Sequence, residues 1–285
     1  MKESYVQPHQ QSQTICRPMT HRLAENLHFP TLWPSGIRSF ASNPSGRDLV
    51  VGDIHGRFGK LRQSLDAIGF DASRDRLFSA GDLVDRGPES HRVCEWLDRP
   101  WFHAVCGNHD FMAWRRALGE PYPEVDHRAH GGEWLDALPA GERLAIGQRL
   151  SALPLAIEIE TRGGREGGET RGGRVGVVHA DCPFDDWDAF RAALQRRDPT
   201  DAHAIALADA CLWSVERHAR QYAGRVTGVT AVVHGHLTLA QPCTLGNAHF
   251  IDTGGGDPTG HFTFLDARTL QRSRGPGGTD RQSFR

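Results

Sequence analysis

The chain has 285 residues, 38% hydrophobic and 24% charged, which is enough to bury a substantial core and fits one large domain or two small ones; we favour one. A formal net charge of −2 exerts no strong global pull on nucleic acid or an acidic membrane surface, so neither is expected as a partner. Cys16, Cys94, Cys106, Cys182, Cys211 and Cys243 include no C-x-x-C pair, and no apolar run reaches the ~18 residues of a membrane span, which excludes a zinc ribbon, a dense disulfide framework and a spanning helix.

Residues 1–46 are polar, rich in Gln, Ser and Pro, and lack sustained periodicity. They read as an irregular or partly disordered extension, with Leu23, Leu27, Phe29, Leu32 and Trp33 able to dock part of it. The opening MKESYVQPHQQSQ has no apolar core of a secretory signal, so a soluble, cytoplasmic protein with buried free thiols is expected. From Asp48 a strand and helix alternation begins. DLVVG reads as a strand, 58–68 as a helix with Leu61, Leu65 and Ile68 on one face, RLFSAG as a strand, 89–97 as a helix and FHAVCG as a third strand. This is an α/β pattern, whose ligands usually bind beyond the carboxyl ends of the strands. Three of those ends carry GDIHG, GDLVDRG and GNHD.

Further on, 132–153 reads as a helix, LAIEIE as a strand, and RVGVVHAD as a strand ending in His and Asp. RGGREGGETRGGR between the two strands suits an exposed mobile connection; no P-loop Lys-Ser/Thr follows, so it is no phosphate cradle. Helices are expected over 186–196 and 203–219, then strands at VTAVVHGH, AHFID and HFTFLD. The catalytic domain is expected over 47–272, with a disordered tail over 273–285.

The polar residues at strand ends are Asp53, His55, Asp82, Asn108, His109, His179, His234 and His236. Together they form a mixed oxygen and nitrogen shell suited to manganese, iron or zinc. Burying them without an ion would leave costly unpaired polar groups. There are more ligands than one open site needs, and a carboxylate such as Asp82 can bridge two ions roughly 3.5–4 Å apart. Taken alone, Asp53 and His55 would more often be a turn cap and an exposed imidazole, and Asp85 with Arg86 a surface ion pair. The companion motifs decide against that. His234 stays open between a packed strand-end residue and a ligand, and His91, His127 and His218 are assigned to surface or loop.

The ordered series GDIHG, GDLVDRG, GNHD, VVHA (177–180) and HGH (234–236) resembles the metallophosphoesterases, and within them the phosphoprotein phosphatase branch, especially the small bacterial and bacteriophage lambda enzymes. The resemblance implies a calcineurin-like α/β fold, a central two-sheet β-sandwich flanked by helices. It implies two divalent ions, manganese first and iron or zinc as alternatives: Asp53 and His55 on one, Asp82 bridging, and Asn108, His179 and His236 on the other. By the same resemblance His109 is the general acid, Asp85 orients it, and Arg86 and Asn108 contact the substrate phosphoryl group. The expected reaction is hydrolysis of phosphomonoesters, on phosphorylated Ser, Thr or Tyr of a protein or on small phosphate esters, by a hydroxide that two cations sustain near neutral pH.

Some residues depart from the pattern. Val215 follows Leu212-Trp213-Ser214 where the branch carries a second phosphate-binding arginine, which leaves two alternatives: Arg217 or Arg220 takes its place, or the grip is weaker. GNHD with Asp110 is typical of symmetrical dinucleoside tetraphosphatases, whereas Asp85 and the HGGEWL stretch (130–135) are phosphatase-like, as is Thr238 in place of a further histidine. Hydrolysis of dinucleoside tetraphosphates is the rival reaction, and a catalytically weak phosphoprotein-binding module the rival of another kind.

Overall fold

A computed structural model describes residues 34, 36–120, 125–162, 172–196 and 201–275; the apolar positions 23–33 and most of the Gly-rich connection lie outside the described residues. Short strands rich in β-branched and aromatic residues build two sheets. The first contains β2 (Asp48–Val51), β3 (Arg76–Ser79) and β4 (Phe102–Ala104), paired in parallel, with β10 (Thr263–Asp266) antiparallel to β2 and β11 (Arg272–Arg274) at the edge. The second runs β1 (Ile37–Phe40), β5 (Ala156–Thr161), β6 (Gly173–Val178), β7 (Ala231–His234), β9 (Ala248–Phe250) and β8 (Cys243–Leu245) in that spatial order. Within it β5 and β6 pair antiparallel, whereas β6, β7 and β9 are parallel.

Alternation along the strands separates two apolar layers. Val50, Phe78, Ile157, Ile159, Val175, Val177 and Val233 fill the space between the sheets. Their neighbours Leu49, Val51, Leu77, Ala156, Val178 and Val232 face the flanking helices. Those helices are α1 (Phe58–Ala67), α2 (Val93–Leu97), α3 (Asn108–Ala117), α4 (Ala140–Ser151), α5 (Trp187–Gln195), α6 (Ala202–Trp213) and α7 (Glu216–Ala219). The expected two-sheet sandwich flanked by helices is the architecture found.

Several boundaries differ from the sequence reading, each for a local reason. The helix expected over 132–153 is broken, with a 3-10 turn over Glu133–Ala137, extended backbone at Leu138, and α4 only after Pro139. Proline at 139 drives the preceding residue out of the helical region. The helix expected over 203–219 splits at Ser214, whose ψ is 136°; its Oγ accepts the Glu216 amide at 3.2 Å and starts α7. Ile37–Phe40, inside the stretch read as irregular, forms β1 because Phe40 packs its ring on Phe78 and His103. Ser273 and Arg274, at the start of the expected tail, pair with β10. No helix was expected after GNHD, yet Asn108 opens α3, which packs against α4.

Candidate active site

The loops that leave β2, β3, β4, β6 and β7 meet at one end of the sandwich. Backbone bonds lash the first two together: the Ile54 and His55 amides donate to Asp82 O (3.0 and 2.8 Å), and Gly56 N donates to Leu83 O. Asp110 reaches back from the first turn of α3, accepting Gly107 N at 3.0 Å and Leu83 N at 2.9 Å. Its carboxylate thereby sets the start of α3 against the β3 loop. His55, Asp82, Asp85, Arg86 and His236 all have positive φ, between 45° and 71°. Non-glycine residues occupy that region at a cost, which the surrounding bonds must hold in place, and here they aim side chains at one point.

Asp82 stands at that point. His179 Nε2 lies 3.5 Å from its Oδ1 and His55 Nε2 lies 3.6 Å from its Oδ2, one imidazole per oxygen. Both rings are oriented from behind, since His55 Nδ1 donates to Val84 O at 3.0 Å and His179 Nδ1 to Ala80 O at 2.8 Å. A carbonyl only accepts, so each Nε2 is unprotonated and presents its lone pair to the site. His236 is held the other way: its Nε2 faces Trp213 O at 3.3 Å, which leaves Nδ1 bare. His179 Nε2, His236 Nδ1 and Asn108 Oδ1 lie 2.9–3.1 Å from one another. Such spacings are ligand-to-ligand edges of a shell whose bonds are about 2.1 Å long.

Two convergent groups result, His55 with Asp82 and His109, and Asp82 with His179 and His236; in each, the ligand atoms lie within 4.8 Å of one another. Asp53 sits beside both, its two oxygens accepting the His236 amide at 3.0 Å. Burial, then Asp252 and Asp82, push the Asp53 carboxyl well above its ordinary range. Burial also tends to raise Asp82, yet the imidazoles of His179, His109, His55 and His236 hold it below. Burial pushes His55 down to about 4 and His179 to about 3, so both are neutral near pH 7, the form in which an imidazole can bind a cation. Opposed lone pairs and crowded carboxylates make a donor set that fits a pair of hard or borderline divalent cations.

A second constellation flanks the first. His109 Nδ1 donates to Asp85 Oδ2 at 2.8 Å, both residues being buried. Arg86 is exposed and spreads over two imidazoles, donating from Nη1 to His55 Nε2 at 3.0 Å and from Nη2 to His109 Nε2 at 2.9 Å. The nine metal and catalytic residues that the resemblance implies, Asp53, His55, Asp82, Asp85, Arg86, Asn108, His109, His179 and His236, are therefore joined in one contact network.

A profile of the calcineurin-like phosphoesterases matches residues 47–238, over two thirds of the chain. The chain belongs to that family. Calcineurin-like phosphoesterases use a dinuclear divalent metal site to hydrolyse phosphate esters, and the groups around Asp82 are candidate ligands for such ions. It is 32% identical over 218 residues to serine/threonine-protein phosphatase 1 of Salmonella typhimurium, covering 72% of this chain and 85% of that one. To the symmetrical bis(5'-nucleosyl)-tetraphosphatase of Methylococcus capsulatus it is 37% identical over 98 residues, 34% of each. Its fold matches a protein serine/threonine phosphatase of Saccharomyces cerevisiae with a TM-score of 0.52 at 14% identity, covering 88% of this chain and 86% of that one.

Three assignments need correction. Arg217 does not join Arg86. It is buried, with Nη1 donating to Gly224 O at 2.9 Å, its amide donating to Asp181, and its guanidinium over the Tyr222 ring. Arg220 is exposed and pairs with Glu216 at 2.5 Å. Neither therefore supplies the arginine that Val215 replaces, because the short α7 turns both towards the protein's own carboxylates. His127, assigned to the surface, is buried and donates from Nε2 to both Asp85 oxygens at 3.0 and 2.9 Å. Trp134 Nε1 donates to Asp85 Oδ1 at 2.7 Å. The adjoining HGGEWL stretch was the available signal for this pair. His234 resolves as a packed residue, its ring stacked on Phe250 and Nδ1 facing Val178 O at 3.1 Å. Thr238 donates to Asp252 at 2.7 Å, a bond that ties the His236 loop to the strand-end aspartate.

Proposed function

We propose that this phosphoesterase is a manganese-dependent protein phosphatase that hydrolyses phosphomonoesters of Ser, Thr or Tyr, acting in the cytoplasm. The observation that carries the reading is the 2.8 Å bond from His109 to the buried Asp85. An alkoxide leaves poorly and needs a proton in the transition state, so an imidazole steered by a carboxylate is worth most on such esters. A nucleoside polyphosphate leaving group is stable as an anion and gains little from it. The share of chain aligned points the same way, 72% with the serine/threonine phosphatase against 34% with the tetraphosphatase.

Two divalent cations, when bound, supply charge that offsets the phosphoryl oxygens and lowers the pKa of water near them. The chain's own groups do the rest. Asp53, His55, Asp82, Asn108, His179 and His236 would hold the ions. Arg86 presents its two amino groups to the phosphoryl oxygens and orients the ester. His109, its Nδ1 on Asp85, aims Nε2 at the leaving oxygen and, as the imidazolium that the Asp85 carboxylate pairs with once Arg86 engages the phosphoryl oxygens, gives it a proton and returns to the neutral imidazole. With Val215 exposed where a second arginine would stand, Arg86 carries the guanidinium grip.

The test is turnover by the purified protein with manganese, iron(II), zinc or no metal, against a phosphoserine peptide, p-nitrophenyl phosphate and diadenosine tetraphosphate. Highest kcat/KM on the peptide with manganese is expected. Preference for the tetraphosphate would replace the reading with the rival hydrolase, and peptide binding without turnover would replace it with a binding module.

A further inference from the structure

Asp85 receives more hydrogen bonds than a one-partner orienting carboxylate needs. His109 donates to Oδ2 at 2.8 Å, Trp134 to Oδ1 at 2.7 Å, and His127 Nε2 lies 3.0 and 2.9 Å from the two oxygens, astride the carboxylate. Asp85 has φ 71°, so its backbone alone does not hold this side chain in a relaxed position. His127 Nδ1 faces Arg116 Nη1 at 3.5 Å, and Arg116 also donates to Gly132 O at 3.2 Å and pairs with Asp136. Nδ1 is thus turned towards a cation, which fixes the proton on Nε2.

The two glycines of HGGEWL make this packing possible. A Cβ on Gly132 would lie 2.4 Å from the His127 ring, and one on Gly131, at φ 90°, would lie 2.7 Å from the Arg86 amide. Gly131 O accepts that amide at 3.2 Å. The segment from His127 to Trp134 therefore clasps Asp85 and Arg86 together.

Resting on the phosphatase reading, we infer that His127, backed by Arg116 and joined by Trp134, is a positioning residue for the reaction: it locks the Asp85 carboxylate so that Oδ2 meets His109 Nδ1. It touches neither ester nor ions and acts only through His109. Burial raises the Asp85 carboxyl, but the bonds from His109 and His127 outweigh it and keep the group ionised, as a partner for two N–H donors must be.

The experiment compares His127→Asn, whose amide is too short to reach Asp85, with His127→Gln, whose amide nitrogen reaches the place of Nε2. His127→Asn is expected to lower kcat on a phosphoserine peptide by about 10–100-fold, the usual cost of losing a group that orients a reacting one. KM is expected to stay within about twofold, since ester binding is untouched. The loss on p-nitrophenyl phosphate is smaller, and His127→Gln recovers most of it. In a His109→Asn background, His127→Asn costs nothing further. Equal losses on both esters, losses that multiply in the double variant, or a Gln variant no better than Asn overturn the proposal.

A second readout needs no turnover. In the metal-free protein, His109 Nδ1–H and His127 Nε2–H should give two slowly exchanging imidazole proton resonances. His127→Gln removes one and, by keeping the bond to Asp85, holds the His109 resonance near its wild-type position, whereas His127→Asn shifts it; a His109 resonance lost in His127→Gln, or unmoved in His127→Asn, overturns the inference. Wild-type inactivity on both esters, with the resonance shifted, would instead sink the phosphatase reading and leave the coupling standing.

Discussion

His109 has one nitrogen committed to Asp85 and the other under Arg86, and the proposed reading makes it the group that, as an imidazolium, gives a proton to the leaving oxygen. His109→Asn removes that proton while sparing the residues around Asp82. Metal content is expected to stay near that of the wild type, and kcat on a phosphoserine peptide to fall by about 10²–10⁴-fold. The fall should be smaller on p-nitrophenyl phosphate; equal falls measured on the two esters would refute the acid role. Arg217 makes the opposite case. Its contacts with Asp181, Cys182 O and Gly224 O are internal. Arg217→Met should leave KM within about twofold. It should lower unfolding free energy by about 3 kcal/mol, because Asp181 loses its buried partner. A large rise in KM with stability unchanged would restore Arg217 to the substrate.

At the level of elements, the start of α3 links cap chemistry to catalysis. Asn108 and His109 are its first two residues, and Asp110 anchors them by accepting Gly107 N and Leu83 N. Asp110→Ala orphans both buried amides, at about 1–3 kcal/mol each. Because the same bonds aim Asn108 and His109, kcat is expected to fall together with the denaturation midpoint. Stability lost with kcat retained would show that α3 finds its angle from packing on α4 alone. The strained turns after β2 and β7 belong at this scale too, since they turn His55 and His236 sideways from their strands towards Asp82, which itself has φ 47° after β3.

Across the whole molecule, half-buried imidazoles are expected to contribute to the acid limit. Burial, then Arg76 and Arg38, push His103 from 6.5 down to about 4, and burial takes His249 down to about 4 as well. Between those values the unfolded chain binds a proton that the folded protein refuses, so stability is full above about 6.5 and is lost as pH falls towards 4. His103 sits against Phe40 and Phe78, where a phenyl ring fits. His103→Phe is therefore expected to flatten the fall of Tm with acid in that window, read by thermal unfolding at a series of pH values. An unchanged slope would assign the acid sensitivity elsewhere.

Sequence alone determined the family resemblance, the core strands and the identity of the groups around Asp82, because metal ligation demands particular atoms at strand ends and strand alternation is local. Neighbour effects within a few residues, such as Pro139 ending one helix and Ser214 restarting another, were present in the letters but outweighed by apolar periodicity. Only tertiary structure decided which way a side chain faces when helical turns are short and partners are distant. It turned Arg217 inward to Asp181, 36 residues away, and brought His127 onto Asp85, 42 residues away. A buried imidazole and an exposed one are written with the same letter; what separates them is the desolvation that a distant carboxylate makes tolerable.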